Sequence, residues 1–301
     1  MNKKILKILE FGEITKRLSE LAITEPAKNE AEKLVPSGDF DQVQTELKQT
    51  LALADLLRIK GQLPLTDFKD VRPSTKRLGV KANLNAKELG NILLVLSLAN
   101  EINSFLEDLD DEKINLTAID SILDQLDVPD LLFRELKKSL DYDGEVLDTA
   151  SSALARLRHD IASNEEEIKD KMNAYTKGNS SKYLSEQIVT IRDDRYVIPV
   201  KQEYRAKFGG VVHDQSASGQ TLFIEPESVL NLNNRQQNLI AKEKQEIRNI
   251  LKHLSGLARE EIESLNNIAT ALTQMDFLQA KAKLAKNMKA SEPILTKDHS
   301  I

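Results

Sequence analysis

Apolar side chains recur every three or four residues through most of the chain, and in only one stretch does the period drop to two. Phe40, Val43, Leu47, Leu51, Ala54 and Leu57 form one such stripe. Leu89, Leu93 and Leu96, with Ile92 alongside and Asn100 and Asn103 continuing the spacing, form another. Stripes of this kind mark amphipathic helices that bury one face. With punctuation at Gly38, Gly61, Pro64, Pro73, Gly79 and Pro129, residues 1–143 are expected to fold as one all-α body.

After Gly144 the spacing persists over a longer range. Leu147, Ala150, Leu154, Leu157, Ile161, Ile168, Met172 and Tyr175 make a heptad seam with a polar gap near Asn164, in a run without Gly or Pro as far as Gly178. A second run between Pro226 and Pro293, interrupted only by Gly256, carries Val229, Leu232, Ile240, Ile247, Ile250, Leu254, Leu257, Leu265, Ile268 and Leu272. Read as one helix of about 60 residues it would span roughly 90 Å, and its partner is expected to be the first run.

Between these runs the pattern changes to β-branched and aromatic residues set off by turn residues. Four short strands are expected at Gln187–Ile191, Arg195–Val200, Phe208–Val212 and Gln220–Ile224. Asp193-Asp194 would form the first turn, although a two-residue hairpin prefers Gly at its second position, so a longer loop is the alternative. Pro199 argues for an edge strand. A helix, a β unit and a returning helix place the β unit where the chain reverses. The fold class expected is mainly α, with an all-α helical core at residues 1–143 and a first lever helix at 144–185. A small β-rich clamp at 186–225 is inserted at the tip of long antiparallel lever helices, and 226–301 forms the returning lever.

Composition narrows the chemistry. The chain has 301 residues and no Cys or Trp, 30% of its side chains are charged, and its formal net charge is −6. Absence of Cys removes thiolate metal sites, thiol nucleophiles and disulfides. No apolar run is expected to reach the ~20 residues of a membrane span, and a cytoplasmic protein without membrane contact is expected. The acid excess belongs to the first half, above all between Glu101 and Asp130, where a run of carboxylates faces the single cation Lys113. Such a stretch repels nucleic acid or simply solvates a helical face.

No G-x-x-x-x-G-K-[ST] phosphate loop, G-x-S-x-G elbow or H-E-x-x-H occurs. His159 and His253 fall on the helical runs and His299 in the tail, so no catalytic residue, cofactor site or metal site is assigned to this chain. What stands out is Gly209–Pro226, which gathers small hydroxyl and amide side chains between strands. His213, Asp214 and Ser216 form no triad if adjacent strand residues point to opposite faces. Exposed donors there suit phosphate or sugar oxygens, while the alternative is that Gly and Ser merely allow the hairpin to turn. The contact candidates are Arg192, Arg195, Lys201, Arg205, Lys207, His213, Gln215, Ser216 and Ser218. Carboxylates outnumber these cations locally, but Arg195, Lys201 and Lys207 share a face if the strands are regular. Lys281, Lys283, Lys286 and Lys289 form a further cationic feature, equally readable as complementing a helix carboxyl end.

Together with the tip, Arg195–Lys201 and Asp143–Asp148 carry a resemblance, joined by Leu9-Glu10-Phe11, Arg58–Gly61 ahead of Pro64-Leu65, Val71-Arg72-Pro73, Met275-Asp276-Phe277 and Ala280-Lys281-Ala282. Over its whole length the sequence resembles the second type of bacterial MutS protein, the paralogue without mismatch-reading and connector domains. The resemblance implies a helical core with levers, a clamp at 186–225, and a parent that is a homodimeric ATPase using ATP and Mg in a domain absent here. It implies an endonuclease activity in a carboxyl-terminal domain. Expected partners are branched DNA, where the parent suppresses homologous recombination, and collided ribosomes, where contact with rRNA precedes ribosome rescue by subunit splitting. Asp193-Asp194 departs from the Asn-Gly or Asp-Gly common in the family, and the ATPase and nuclease-like domains do not follow. The chain is accordingly expected to be an amino-terminal piece ending before the ATPase. A coiled-coil scaffold or partner-binding module without catalytic activity is the alternative.

Overall fold

A computed structural model describes residues 3–107 and 114–296. The helices are α1 (Lys3–Ile8), α2 (Phe11–Leu21), α3 (Glu25–Lys33), α4 (Phe40–Lys60), α5 (Arg72–Gly79), α6 (Ala86–Glu107), α7 (Asp120–Leu123), α8 (Asp130–Ser139), α9 (Ser152–Thr176), α10 (Leu230–Glu260) and α11 (Ile262–Met288). Strands β1 (Thr190–Arg192), β2 (Arg195–Lys201), β3 (Val211–Gln215) and β4 (Thr221–Glu225) lie between α9 and α10. The fold is mainly α with a small antiparallel sheet. Two compact units form, one from residues 1–147 and 251–301 and the other from 148–250.

In the first unit α11 packs against α2, α3, α4, α5 and α6. Local sequence starts several of these helices. Thr24 accepts the Ala27 amide ahead of α3, and Asp39 accepts the Asp41 and Gln42 amides ahead of α4. The residues buried in α4 are Ala52, Leu53 and Leu56, one position off the expected stripe, whose members are half-buried. In α6 burial runs around most of the helix, from Leu89, Gly90 and Ile92 to Ala99 and Ile102, and its exposed residues, Lys87, Glu101, Ser104 and Glu107, fall toward its ends, so it is a core helix. Contrary to the reading of the sequence, α6 is long and apolar enough to cross a membrane by length and composition; here its apolar residues line the helical core.

Several landmark residues serve this packing. Asp276 is fully buried and accepts from the Ile23 and Thr24 amides and the Thr24 hydroxyl, fixing the turn between α2 and α3 to α11. Gly144 has φ 86°, and a Cβ there would lie 2.6 Å from the Lys87 Cα, so only glycine lets this turn approach α6. The expected long helix after Pro226 is instead two, broken at Glu261 and not at Gly256. Lys281 pairs with Glu46 at 3.3 Å over the Phe277 ring, and Lys289 ends α11 in a left-handed conformation, which gives this cationic run a structural role. Of the acidic stretch, residues 108–113, including Lys113, lie outside the described residues, as does His299.

In the second unit α9 runs antiparallel to the first part of α10. Ser151 donates to Glu246 at 2.7 Å, Arg158 to Glu243 at 2.9 Å, and Asn164 to the Leu232 carbonyl at 3.0 Å and Gln236 at 2.8 Å. The polar gap in the seam is thus a buried clasp. Beyond it, Ile168, Met172 and Leu232 join Ile198, Val200, Phe208, Leu222 and Ile224, so one face of the sheet closes over the helix ends.

Candidate nucleic-acid interface

The strand order is β1-β2-β4-β3, all antiparallel. Inner-face side chains of β2 and β4 are Ile198, Val200, Leu222 and Ile224; the alternate residues Arg195, Lys201, Phe223 and Glu225 take the outer face. Asp193 and Asp194 both adopt positive φ, 49° and 58°, closing a two-residue turn without glycine; Gln237 donates to the Asp194 carbonyl. β2 is internal in the sheet order, unlike the edge strand Pro199 suggested. The proline is accommodated because β1 pairs only as far as Val197 and the Pro199 carbonyl faces that open side, accepting from the Ser185 amide at 2.9 Å. β3 begins at Val211, three residues later than expected, because Gly209 and Gly210 are both in the left-handed region. A Cβ on Gly210 would stand 2.0 Å from the Glu225 carbonyl oxygen.

A bulge between Val212 and Asp214 turns His213 and Asp214 toward the same outer face. The opposite-face argument therefore fails at this point. The triad is absent for a different reason: His213 Nε2 engages Glu225 at 2.5 Å, Asp214 engages Arg192 at 3.1 Å, and Ser216 bonds the Thr221 amide. Glu225 is 1% exposed and also accepts from Arg195 at 3.0 Å and Asn233 at 2.8 Å, while Asn233 exchanges two hydrogen bonds with the Tyr196 backbone. Arg192 crosses the outer face with its guanidinium 4.2 Å from the Phe223 ring centroid. Arg192, Arg195 and His213 are thus held in internal contacts.

The opposite end of the sheet is different. Lys201 pairs with Thr221 in register, exposed Gln215 ends β3, and Ser216 and Ser218 lie on the adjoining β3–β4 connection, which Ser216 closes through the Thr221 carbonyl. The outer-face expectation holds for Arg195 and Lys201, at opposite ends of β2, but not for Lys207, which lies on a 3-10 segment, Gln202–Lys207, with exposed Arg205. Lys201 Nζ donates to the Lys182 carbonyl at 3.2 Å. Lys207 Nζ donates to the Tyr183 hydroxyl at 3.1 Å and sits 4.2 Å from that ring's centroid, and Lys182 Nζ lies 5.1 Å from it. Tyr204 stacks at a tilt on Tyr183, centroids 4.8 Å apart. The Lys207 bond lowers the Tyr183 pKa, whereas the Glu203 carboxylate raises that of Tyr204. Among the described residues no carboxylate forms an ion pair with Lys182, Lys201, Arg205 or Lys207.

Lys182, Tyr183 and Tyr204 were not singled out in the sequence. The first two precede the strands and fall in the segment read as lever, whereas α9 ends at Thr176 and a connection with a 3-10 turn at Ser181–Tyr183 follows.

No family model matches the chain. Over all 301 residues it is 86% identical to a protein of Lactobacillus helveticus named endonuclease MutS2, 85% to that of Lactobacillus acidophilus and 45% to that of Ligilactobacillus salivarius. The chain is similar along its whole length to MutS2 proteins. It spans 38% of the length of each of these MutS2 relatives. The MutS resemblance seen in scattered landmarks is therefore continuous from residue to residue, and the sheet with its cationic end lies within the matched region.

Proposed function

We propose that this chain supplies the core, levers and clamp of a MutS-type protein, and that the Lys201 end of the sheet contacts the sugar–phosphate backbone of nucleic acid. The observation that carries this reading is the gathering of Lys182, Lys201, Arg205 and Lys207 without carboxylate partners, in a protein of net charge −6. Unpaired cations on an acidic protein are where phosphate can release its counterions at least cost. The proposed targets are branched DNA, bound to restrain homologous recombination, and rRNA in collided ribosomes, bound ahead of subunit splitting. A homodimer would bring two sheet ends onto one target, multiplying weak contacts through effective concentration. The endonuclease activity in the relatives' name, and ATP with Mg, are proposed for the whole protein and not for these residues. Among the described residues no three His, Asp or Glu side chains converge where a metal ion could be held, and no phosphate loop occurs in the sequence, so no step is routed through them.

The test is a variant with Lys182, Lys201 and Lys207 all changed to Ala, assayed on a four-way DNA junction and on purified ribosomes. Each lost phosphate contact should weaken binding several-fold, so the triple variant should lose on the order of 100-fold on whichever target is engaged. Unchanged affinity for both targets would remove this surface from the function.

A further inference from the structure

We infer that Tyr183 and Tyr204 take the bases of an unpaired strand, so that the site prefers single-stranded segments of DNA or RNA over duplex. The inference rests on the phosphate-contact reading above and specifies its ligand. In a duplex the bases are stacked inside and only phosphates present themselves, for which lysines suffice. Aromatic rings beside unpaired lysines add affinity when a base face is free to stack on them.

The two rings are built to hold a position. Phe208, 8% exposed, meets Tyr183 edge-on with centroids 6.3 Å apart at 84°, and Tyr175 meets Phe208 at 6.0 Å, so a supported aromatic row runs from the buried core to the surface. Both tyrosines pack against that core and are half-buried, not enclosed by it. Lys207 occupies the Tyr183 ring at 4.2 Å and stands 5.7 Å from the centroid of Tyr204. An ammonium over an exposed ring is weakly held compared with one on a phosphate. When Lys207 turns to a phosphate it uncovers the ring for the adjacent base, and one side-chain movement makes both contacts available. Lys182 and Lys201, joined through the Lys182 carbonyl, flank the pair and continue the cationic track.

The experiment measures binding of the 301-residue chain to four labelled probes of equal length at low salt: single-stranded DNA, single-stranded RNA, duplex DNA, and a single strand with abasic sites. The Y183L/Y204L variant keeps apolar packing but has no ring face, and Y183F/Y204F keeps the faces without the hydroxyls. Loss of roughly tenfold or more by the Leu variant on single strands, less than about twofold on duplex, and retention by the Phe variant are expected. Wild type should bind the abasic strand as weakly as the Leu variant binds the intact one. Preference for the DNA or the RNA strand supports the inference and identifies the source. Equal losses on duplex and single strand, or abasic binding as tight as intact, would overturn it. If the triple lysine variant loses every probe while the Leu variant loses none, the phosphate reading stands and this inference falls. Absence of binding to any probe by wild type would overturn both. Thermal melting of each variant checks that the fold is retained.

Discussion

Arg195 shows how a single side chain changes meaning once its neighbours are known. As a cation near a strand turn it suits phosphate, yet it is tied to Glu225, a carboxylate only 1% exposed. Arg195→Glu would set a second carboxylate against the first, and breaking a buried pair in this way costs about 3–5 kcal/mol. We therefore expect R195E to lower the unfolding midpoint of residues 148–250 sharply in urea titration, while K201A barely moves it. An R195E protein as stable as wild type would place Glu225 in a different setting. Tyr196 makes a second residue-scale prediction. Its phenol is pushed up to about 12, first by burial and then by the hydrogen bond to Glu165. A raised pKa means that the fold favours the neutral phenol: the contribution is complete below the ordinary value of 10 and is lost between 10 and about 12. The stability difference between wild type and Y196F should narrow as pH rises from 9 to 12 in paired urea titrations; a constant difference would contradict the linkage.

At the scale of elements, the α9–α10 clasp follows the asymmetry of buried hydrogen bonds. Asn164 is buried with its Nδ2 bonded to the Leu232 carbonyl and to Gln236, while its Oδ1 has no partner. Asn164→Leu leaves the Gln236 side-chain oxygen without its donor, while the Leu232 carbonyl keeps its place within helix α10, and should destabilise by about 1–3 kcal/mol; N164L/Q236L removes that acceptor as well and should recover most of the loss. A double variant no better than the single would show that packing, and not polarity, governs the seam. Elements of this kind were legible in the sequence because their signals are local. Period-four spacing marked α4, α6 and α9, and the change to β-branched residues marked four strands. What was not legible depends on contacts distant in sequence. Burial around α6 arises from several helices closing on it, the break at Glu261 has no local glycine or proline to announce it, and the His213 bulge exists only against its β4 partner. Lys182 and Tyr183 became part of the site because a connection after α9 returns them to the end of β2.

For the molecule as a whole, the two units divide the work that the sequence presents as one continuous helical pattern. Residues 1–147 and 251–301 spend their landmark residues on packing: Asp276 on the α2–α3 turn, Gly144 on the close approach to α6, and Lys281 on Glu46. Residues 148–250 bury one face of the sheet and commit the Arg195 end to internal ion pairs, leaving unpaired cations at the Lys201 end. The nine candidate contacts are accordingly split by the structure: Arg192, Arg195 and His213 hold the sheet together, and Lys201, Lys207, Gln215, Ser216 and Ser218 remain near the open end with Arg205 on the adjoining segment. The central claim is that this end meets phosphate. Its most direct test is the salt dependence of nucleic-acid affinity for wild type and the K182A/K201A/K207A variant between about 50 and 200 mM salt. Loss of three phosphate contacts should flatten the log–log slope by roughly two to three. Parallel lines for the two proteins would contradict the account.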